Sequence, residues 1–114
     1  MTAKGLRRRC LELAGSTEEF PFGENTSVFK VGCKMFALSP LRSRPLSVSL
    51  KCEPELAEAL RLTYDAIQPG YHLNKRHWIT VTLDGSLPDR MVFDLIEDSY
   101  DLVVAGLSAS RRPR

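Results

Sequence analysis

At 114 residues the chain fits one domain, long enough to bury roughly two thirds of its unfolded surface and to stand without disulfides or a structural metal. Its 43% hydrophobic and 26% charged residues suit a globular domain. No apolar run approaches the roughly eighteen residues of a membrane span and no cleavable apolar leader opens the chain, so a cytoplasmic place is expected. The net charge of +2 and pI of about 8.5 fall short of the pI above about 9 common in dedicated nucleic-acid domains, so where the charges sit matters more than their sum.

The first predicted helix runs from about Ala3 to Ala14, with Thr2 as N-cap, Leu6, Cys10, Leu13 and Ala14 at helical spacing and Gly15 as a C-cap candidate. Its outer face carries Lys4, Arg7, Arg8 and Arg9. Glu18 to Glu24 reads as a loop, in which Phe20 and Phe22 flank Pro21 and plug the edge of a core. Thr26 to Val31 and Lys34 to Ser39 read as strands joined by a tight turn at Gly32-Cys33, where Gly supplies a positive φ. Phe29, Val31, Phe36 and Leu38 are expected to share one face of that pair. After a loop from Pro40 to Pro45, Leu46 to Lys51 alternates as a third strand, with Leu46, Val48 and Leu50 inward and Ser47, Ser49 and Lys51 towards water.

Glu53-Pro54 starts a second helix whose inward stripe is Leu56, Ala59 and Leu60, ending near Thr63. A loop from Asp65 to Gly70 then leads into a hairpin. Gly70 to Leu73 and His77 to Leu83 are its arms and Asn74-Lys75-Arg76 its basic tip, with Asn74 suited to the left-handed conformation a tip requires. Trp78 and Tyr71 are read as packing residues. Asp84-Gly85-Ser86 turns the chain, Ser86-Leu87-Pro88-Asp89 looks like a capped start, and a long helix follows to about Leu107 with Val92, Leu95, Ile96, Ser99, Val103 and Leu107 inward. Ser108 to Arg114 has no apolar anchor and reads as a disordered basic tail, which leaves residues 1–107 as the domain. The expected fold is α+β: helix, three antiparallel strands, helix, two-stranded hairpin and long C-terminal helix, as one sheet with the helices on one face.

Several of these pieces carry a resemblance. Phe22-Gly23, Val31-Gly32 with Lys34 to Ala37, Ser49 to Cys52, Pro69 to His72, Asn74 to Trp78, and Leu83-Asp84-Gly85 followed by Ser99-Tyr100 and Leu102-Val103 resemble the MmcQ/YjbR family of small bacterial proteins. The resemblance spans about Phe20 to Leu107. It implies the same element order, a fold grouped with frataxin (CyaY-like) and secretion chaperones, and the label of a double-wing DNA-binding motif. It brings no catalytic residues, and this chain has Gly32-Cys33 where Gly-Gly is the common pattern.

Chemistry narrows the functions further. Cys10, Cys33 and Cys52 are odd in number and far apart, with no metal-binding spacing, and are expected as reduced, mostly buried thiols. No metal or cofactor is expected. A nucleophile and base would have to come from His72 or His77 with Cys33 or Cys52, and nothing in their spacing joins them, so a non-enzymatic domain is the expectation. A frataxin-like iron role needs carboxylates on the first helix, which carries cations instead. The leading expectation is weak DNA binding through basic wings, with Asn74, Lys75, Arg76, His77, Lys34, Arg42 and Arg44 as contacts and Trp78, Tyr71, Phe22, Gly32 and Gly85 as structural support. The alternative is a chaperone-like adaptor for a protein partner or a protein that sequesters a small molecule, marked by an apolar patch on the open sheet face. A stable dimer would also mark that alternative; otherwise a monomer is expected.

Overall fold

The computed structural model describes residues 1–113. Three helices, α1 (Ala3–Glu12), α2 (Pro54–Thr63) and α3 (Asp89–Ala105), accompany six strands: β1 (Thr17–Glu19), β2 (Ser27–Val31), β3 (Lys34–Ser39), β4 (Ser47–Lys51), β5 (Ile67–Pro69) and β6 (Trp78–Thr82). Every pairing is antiparallel and the spatial order is β1-β2-β3-β4-β6-β5. The fold is thus α+β. No helix among the described residues is long and apolar enough to cross a membrane.

The strand at Thr17–Glu19 replaces part of the expected loop. Its partner contacts come from charge rather than apolar alternation: Glu18 accepts from Ser27 Oγ at 2.7 Å and from Arg7 Nε at 2.7 Å, and Glu19 meets Lys30 Nζ at 3.2 Å. Such a short acidic edge suits a strand with one side open to water. The other edge, β5, ends in Pro69, a residue with no N–H to present outward. That strand lies where a loop was expected, so the first arm of the hairpin is Ile67–Pro69 and Gly70 to His77 is the connection.

The register between β2 and β3 jumps from Phe29↔Ala37 to Lys30↔Met35, which leaves Phe36 as an extra residue in β3. Phe36 and Ala37 both lie fully buried on the helix side, and Leu38 is turned to the opposite face rather than sharing that of Phe36 as expected. The bulge is held from above by α3. Ser99 Oγ donates to the Phe36 carbonyl at 2.6 Å and accepts from Lys51 N at 2.8 Å, while Tyr100 packs edge-on against the Phe36 ring at 5.4 Å.

The main core lies between this face and the helices, with Phe29, Val48, Leu50, Ile79 and Val81 meeting Leu6, Ala57, Val92, Ile96 and Val103. The stripe of α3 matches the sequence reading. That of α2 agrees at Leu60 alone: Ala57 and Leu60 are buried and Leu56 and Ala59 are exposed. Thr2 Oγ1 caps α1 through Gly5 N at 3.0 Å as expected. α3 begins after Pro88 without a side-chain cap, and it is Asp84 that organises the preceding turn, through Ser86 N at 3.0 Å.

The tail is also ordered through Pro113. A short 3-10 turn, Ala109–Arg111, brings Arg112 back so that its guanidinium donates to the carbonyls of Leu107 and Ala105, both at 3.1 Å. Ala105 is the last residue of α3, whose carbonyl has no partner within the helix, and Leu107 lies two residues beyond it. The segment expected as a disordered basic tail thus carries hydrogen bonds to the end of α3; Arg114 lies outside the described residues.

Candidate functional site on the open sheet face

The face of the sheet away from the helices is not uniformly wet. Two loops rise beside it, Phe20 to Asn25 before β2 and Gly70 to His77 before β6, and between them lies a groove of about 390 Å³. Its floor comes from Leu38 of β3, Ser49 of β4 and Thr80 of β6, which stand side by side through the pairs Leu38↔Ser49 and Ser49↔Thr80. Ser49, expected towards water, is buried and shares a 2.8 Å hydrogen bond with Thr80 Oγ1. Thr80 Oγ1 also accepts from Tyr71 N at 3.0 Å, which fixes the loop to the floor.

Two aromatic rings form the walls. Phe22 is 69% exposed and Tyr71 72% exposed, so neither fills the packing role expected of it. Tyr71 lies against His72, with ring centroids 4.0 Å apart and planes tilted by 54°. His72, rather than Asn74, takes the left-handed backbone, at φ 58°. A non-glycine residue held there is strained by roughly 1–3 kcal/mol, and such strain concentrates at binding sites. Asn74 works through its side chain, with Oδ1 accepting from Arg76 N at 2.9 Å and His77 N at 3.3 Å. Trp78 is half-buried at the end of β6 and lies outside the buried core, because alternation directs Ile79 inward and Trp78 to the open face. Gly70 is required beside it, since a Cβ there would stand 2.7 Å from Trp78 Cβ.

The cations proposed as wings are divided. Lys34 starts β3, and Lys75, Arg76 and His77 precede β6; by register these stand at the end of the sheet where β4 finishes. Arg42 and Arg44 lie in the β3–β4 loop at the other end, on the order of 15 Å away along the strands. All six side chains are exposed. Gly32 and Cys33 form the expected tight turn, both with positive φ, and a Cβ on Gly32 would come within 2.5 Å of Leu107 Cδ1. Gly85 also has a positive φ, 89°, in open space.

No hydrogen bond joins a cysteine thiol to a histidine ring among the described residues. Cys52 N donates to the His77 carbonyl at 2.8 Å, which places these residues side by side through the backbone alone. Burial, with Asp98 and Glu53 nearby, pushes the Cys52 thiol up, away from the thiolate. Burial and then Glu18 push Cys10 up to about 12. Cys10 and Cys52 are buried as expected; Cys33 is exposed.

Leu38, Leu73, Ser49, Thr80 and His72 join this site without having been singled out for it. The Ser/Thr alternation of β4 and β6 was visible, but the loops that cover it are tertiary. An open-faced antiparallel sheet backed by helices, with a groove on its open side, makes this a small α+β domain. The YjbR family profile matches residues 11–102. The chain is 40% identical over 109 residues to the Escherichia coli O157:H7 protein YbdF, covering 95% of this chain and 88% of that one. It is 39% identical over 113 residues to YjbR of Escherichia coli strain K12, covering 98% and 95%. The crystal structure of Deinococcus radiodurans protein DR2400, of the DUF419 domain family, superposes with a TM-score of 0.90 at 46% identity, covering 96% of this chain and 84% of that one. The chain belongs to the YjbR family. None of these names states an activity, ligand or partner.

Proposed function

We propose that this YjbR domain is a non-catalytic binding protein that holds a planar, largely apolar small molecule in the groove on its open sheet face. The observation that carries this is the pair of exposed rings, Phe22 and Tyr71, on opposite loops of one 390 Å³ groove. Ligand pockets commonly span about 300–1,000 Å³ and combine apolar walls with a few placed polar groups. Here those groups are the hydroxyls of Ser47, Ser49 and Thr80 and the ring of His72. An aromatic ligand stacked on such rings gains roughly 0.5–1.5 kcal/mol per pair beyond the area it buries.

The wing reading retains one supporting observation, the exposed Lys75-Arg76-His77 segment on a turn capped by Asn74. At that end of the sheet it has Lys34 and Arg61, whose guanidinium donates to the Lys75 carbonyl at 3.2 Å, while Arg42 and Arg44 stand at the other end and do not join the same cluster. The groove is tested with anilinonaphthalene sulfonate, a planar apolar probe whose fluorescence rises on leaving water. Native protein should enhance that fluorescence, and the double variant Phe22→Ala/Tyr71→Ala should bind the probe at least tenfold more weakly without a large change in melting temperature. Equal enhancement by the double variant, or none by the native chain, overturns the groove as the site. A duplex whose affinity falls with salt in the native chain but less steeply in Lys75→Ala/Arg76→Ala would return the wing to first place.

A further inference from the structure

A second groove, of about 290 Å³, lies on the helix side of the sheet between α2 and α3. Leu56 stands on its α2 wall and is 43% exposed, although Ala57 and Leu60 on the same helix are buried. The α3 wall runs from Leu95 past Leu102 to Ala105, a rise of about 15 Å, or close to three helical turns. Cys52 closes the groove where β4 ends. The bottom is therefore apolar.

Its rim is acidic. Glu53 stands at the start of α2, and Asp98 and Asp101 stand one turn apart on α3; Lys51 is the single cation that lines the groove. The ion pairs among the described residues use Glu12, Glu18, Glu19, Asp89 and Glu97, and none of the three rim carboxylates. The Asp98 carboxyl is held above its ordinary range by desolvation and then by the charges of Asp101, Asp94 and Glu97. A cation brought to the rim would relieve that repulsion.

We propose that the α2–α3 groove docks a short basic amphipathic segment of a partner protein, its apolar anchors lying along Leu56 and Leu102 and its lysines or arginines meeting Glu53, Asp98 and Asp101. Charge complementarity selects this occupant over the two that the chain could supply itself. In α1 the cations Lys4, Arg7 and Arg8 are exposed but the apolar residues Leu6 and Cys10 are buried, so α1 of a second copy offers charge without an anchor. The basic tail is engaged elsewhere: Arg112 caps α3, and Pro113 lies against Gly15. A helix of three turns with apolar residues at i, i+3 or i+4 and i+7 fits the length of the α3 wall. Cations flanking that stripe would also quicken encounter and make the affinity fall with salt.

The test uses the full chain and two capped helical peptides that share one leucine stripe, one flanked by lysines and the other by glutamates. Titration followed by amide chemical shifts should move Leu56, Asp98 and Leu102 with the lysine peptide and leave the spectrum unchanged with the glutamate peptide. Asp98→Asn/Asp101→Asn should weaken the lysine peptide at least tenfold; both side chains are exposed, so the fold should survive, and Glu53→Gln provides an independent variant across the groove. The proposal is overturned by an equal response to the two peptides, by shifts confined to Ser49, Tyr71 and Thr80 on the open face, or by unaltered affinity in both variants. Self-association in sedimentation that the lysine peptide reverses would also overturn it, by assigning the groove to a second copy.

Discussion

Ser99 shows how much one side chain can depend on an irregularity three strands of sequence away. Its position in the inward stripe of α3 was legible from spacing, but the reason for a hydroxyl there was not, because its partner is the carbonyl freed by the extra residue Phe36. The bulge leaves no mark in the alternation of Lys34 to Ser39. Ser99→Ala removes the partner of the buried Phe36 carbonyl and of Lys51 N together, and each unsatisfied group costs about 1–3 kcal/mol. Urea unfolding should show a loss of about 2–4 kcal/mol with an unchanged m-value. A loss below about 1 kcal/mol would mean that the two backbone groups find other partners and that Ser99 does not hold the bulge. The positive φ of His72 was equally hidden, since Asn74 is the residue that local propensity favours for that conformation and tertiary closure of the loop decides otherwise.

Among the elements, those defined by a long period were legible and those defined by edge contacts were not. α3 shows four turns of regular burial, and α2 was marked by Pro54 at its start, although Ala57 rather than Leu56 is its inward residue. β1 and β5 are three residues each, too short for alternation to register, and both contain types disfavoured in strands. The contacts of the C-terminal tail leave no apolar signal in the sequence, because Arg112 reaches backbone carbonyls. Removing residues 108–114 should uncap α3 at Ala105, free the Leu107 carbonyl just beyond it and remove the contact between Pro113 and Gly15. At about 1–2 kcal/mol for the guanidinium contacts, the midpoint of thermal unfolding should drop by roughly 3–10 °C. An unchanged midpoint in calorimetry would show that the clasp contributes nothing. Arg112→Ala should reproduce most of the loss.

Across the whole molecule, the two grooves stand on opposite faces of one sheet and differ in character, hydroxyl-floored and aromatic-walled on one side, acid-rimmed on the other. The candidate site was only partly legible: Phe22 is far in sequence from Tyr71 and Thr80, and no spacing rule joins two loops on either side of three strands. Charge segregation, in contrast, was readable, with cations on α1 and at the turns and acids on the later helices. One consequence is pH dependence. Because Asp98 holds its proton more tightly in the folded chain than the ordinary value of 3.8, ionising it works against the fold. That penalty is absent below the ordinary carboxylate range and complete above the raised one, so Asp98→Asn should melt higher than the native chain at pH 7 and lose its advantage as the pH falls below about 4. A lower melting temperature at pH 7, or a gain that persists unchanged in acid, would contradict the sign. The rims of the sheet have a different consequence. β1 offers a visiting chain three residues, two of them glutamates, and β5 ends in a proline that has no amide hydrogen to give. Main-chain recruitment, whether by an extended peptide adding itself as a seventh strand or by neighbouring molecules stacking edge to edge into fibrils, therefore finds only a short acidic template on one side and a proline-ended one on the other.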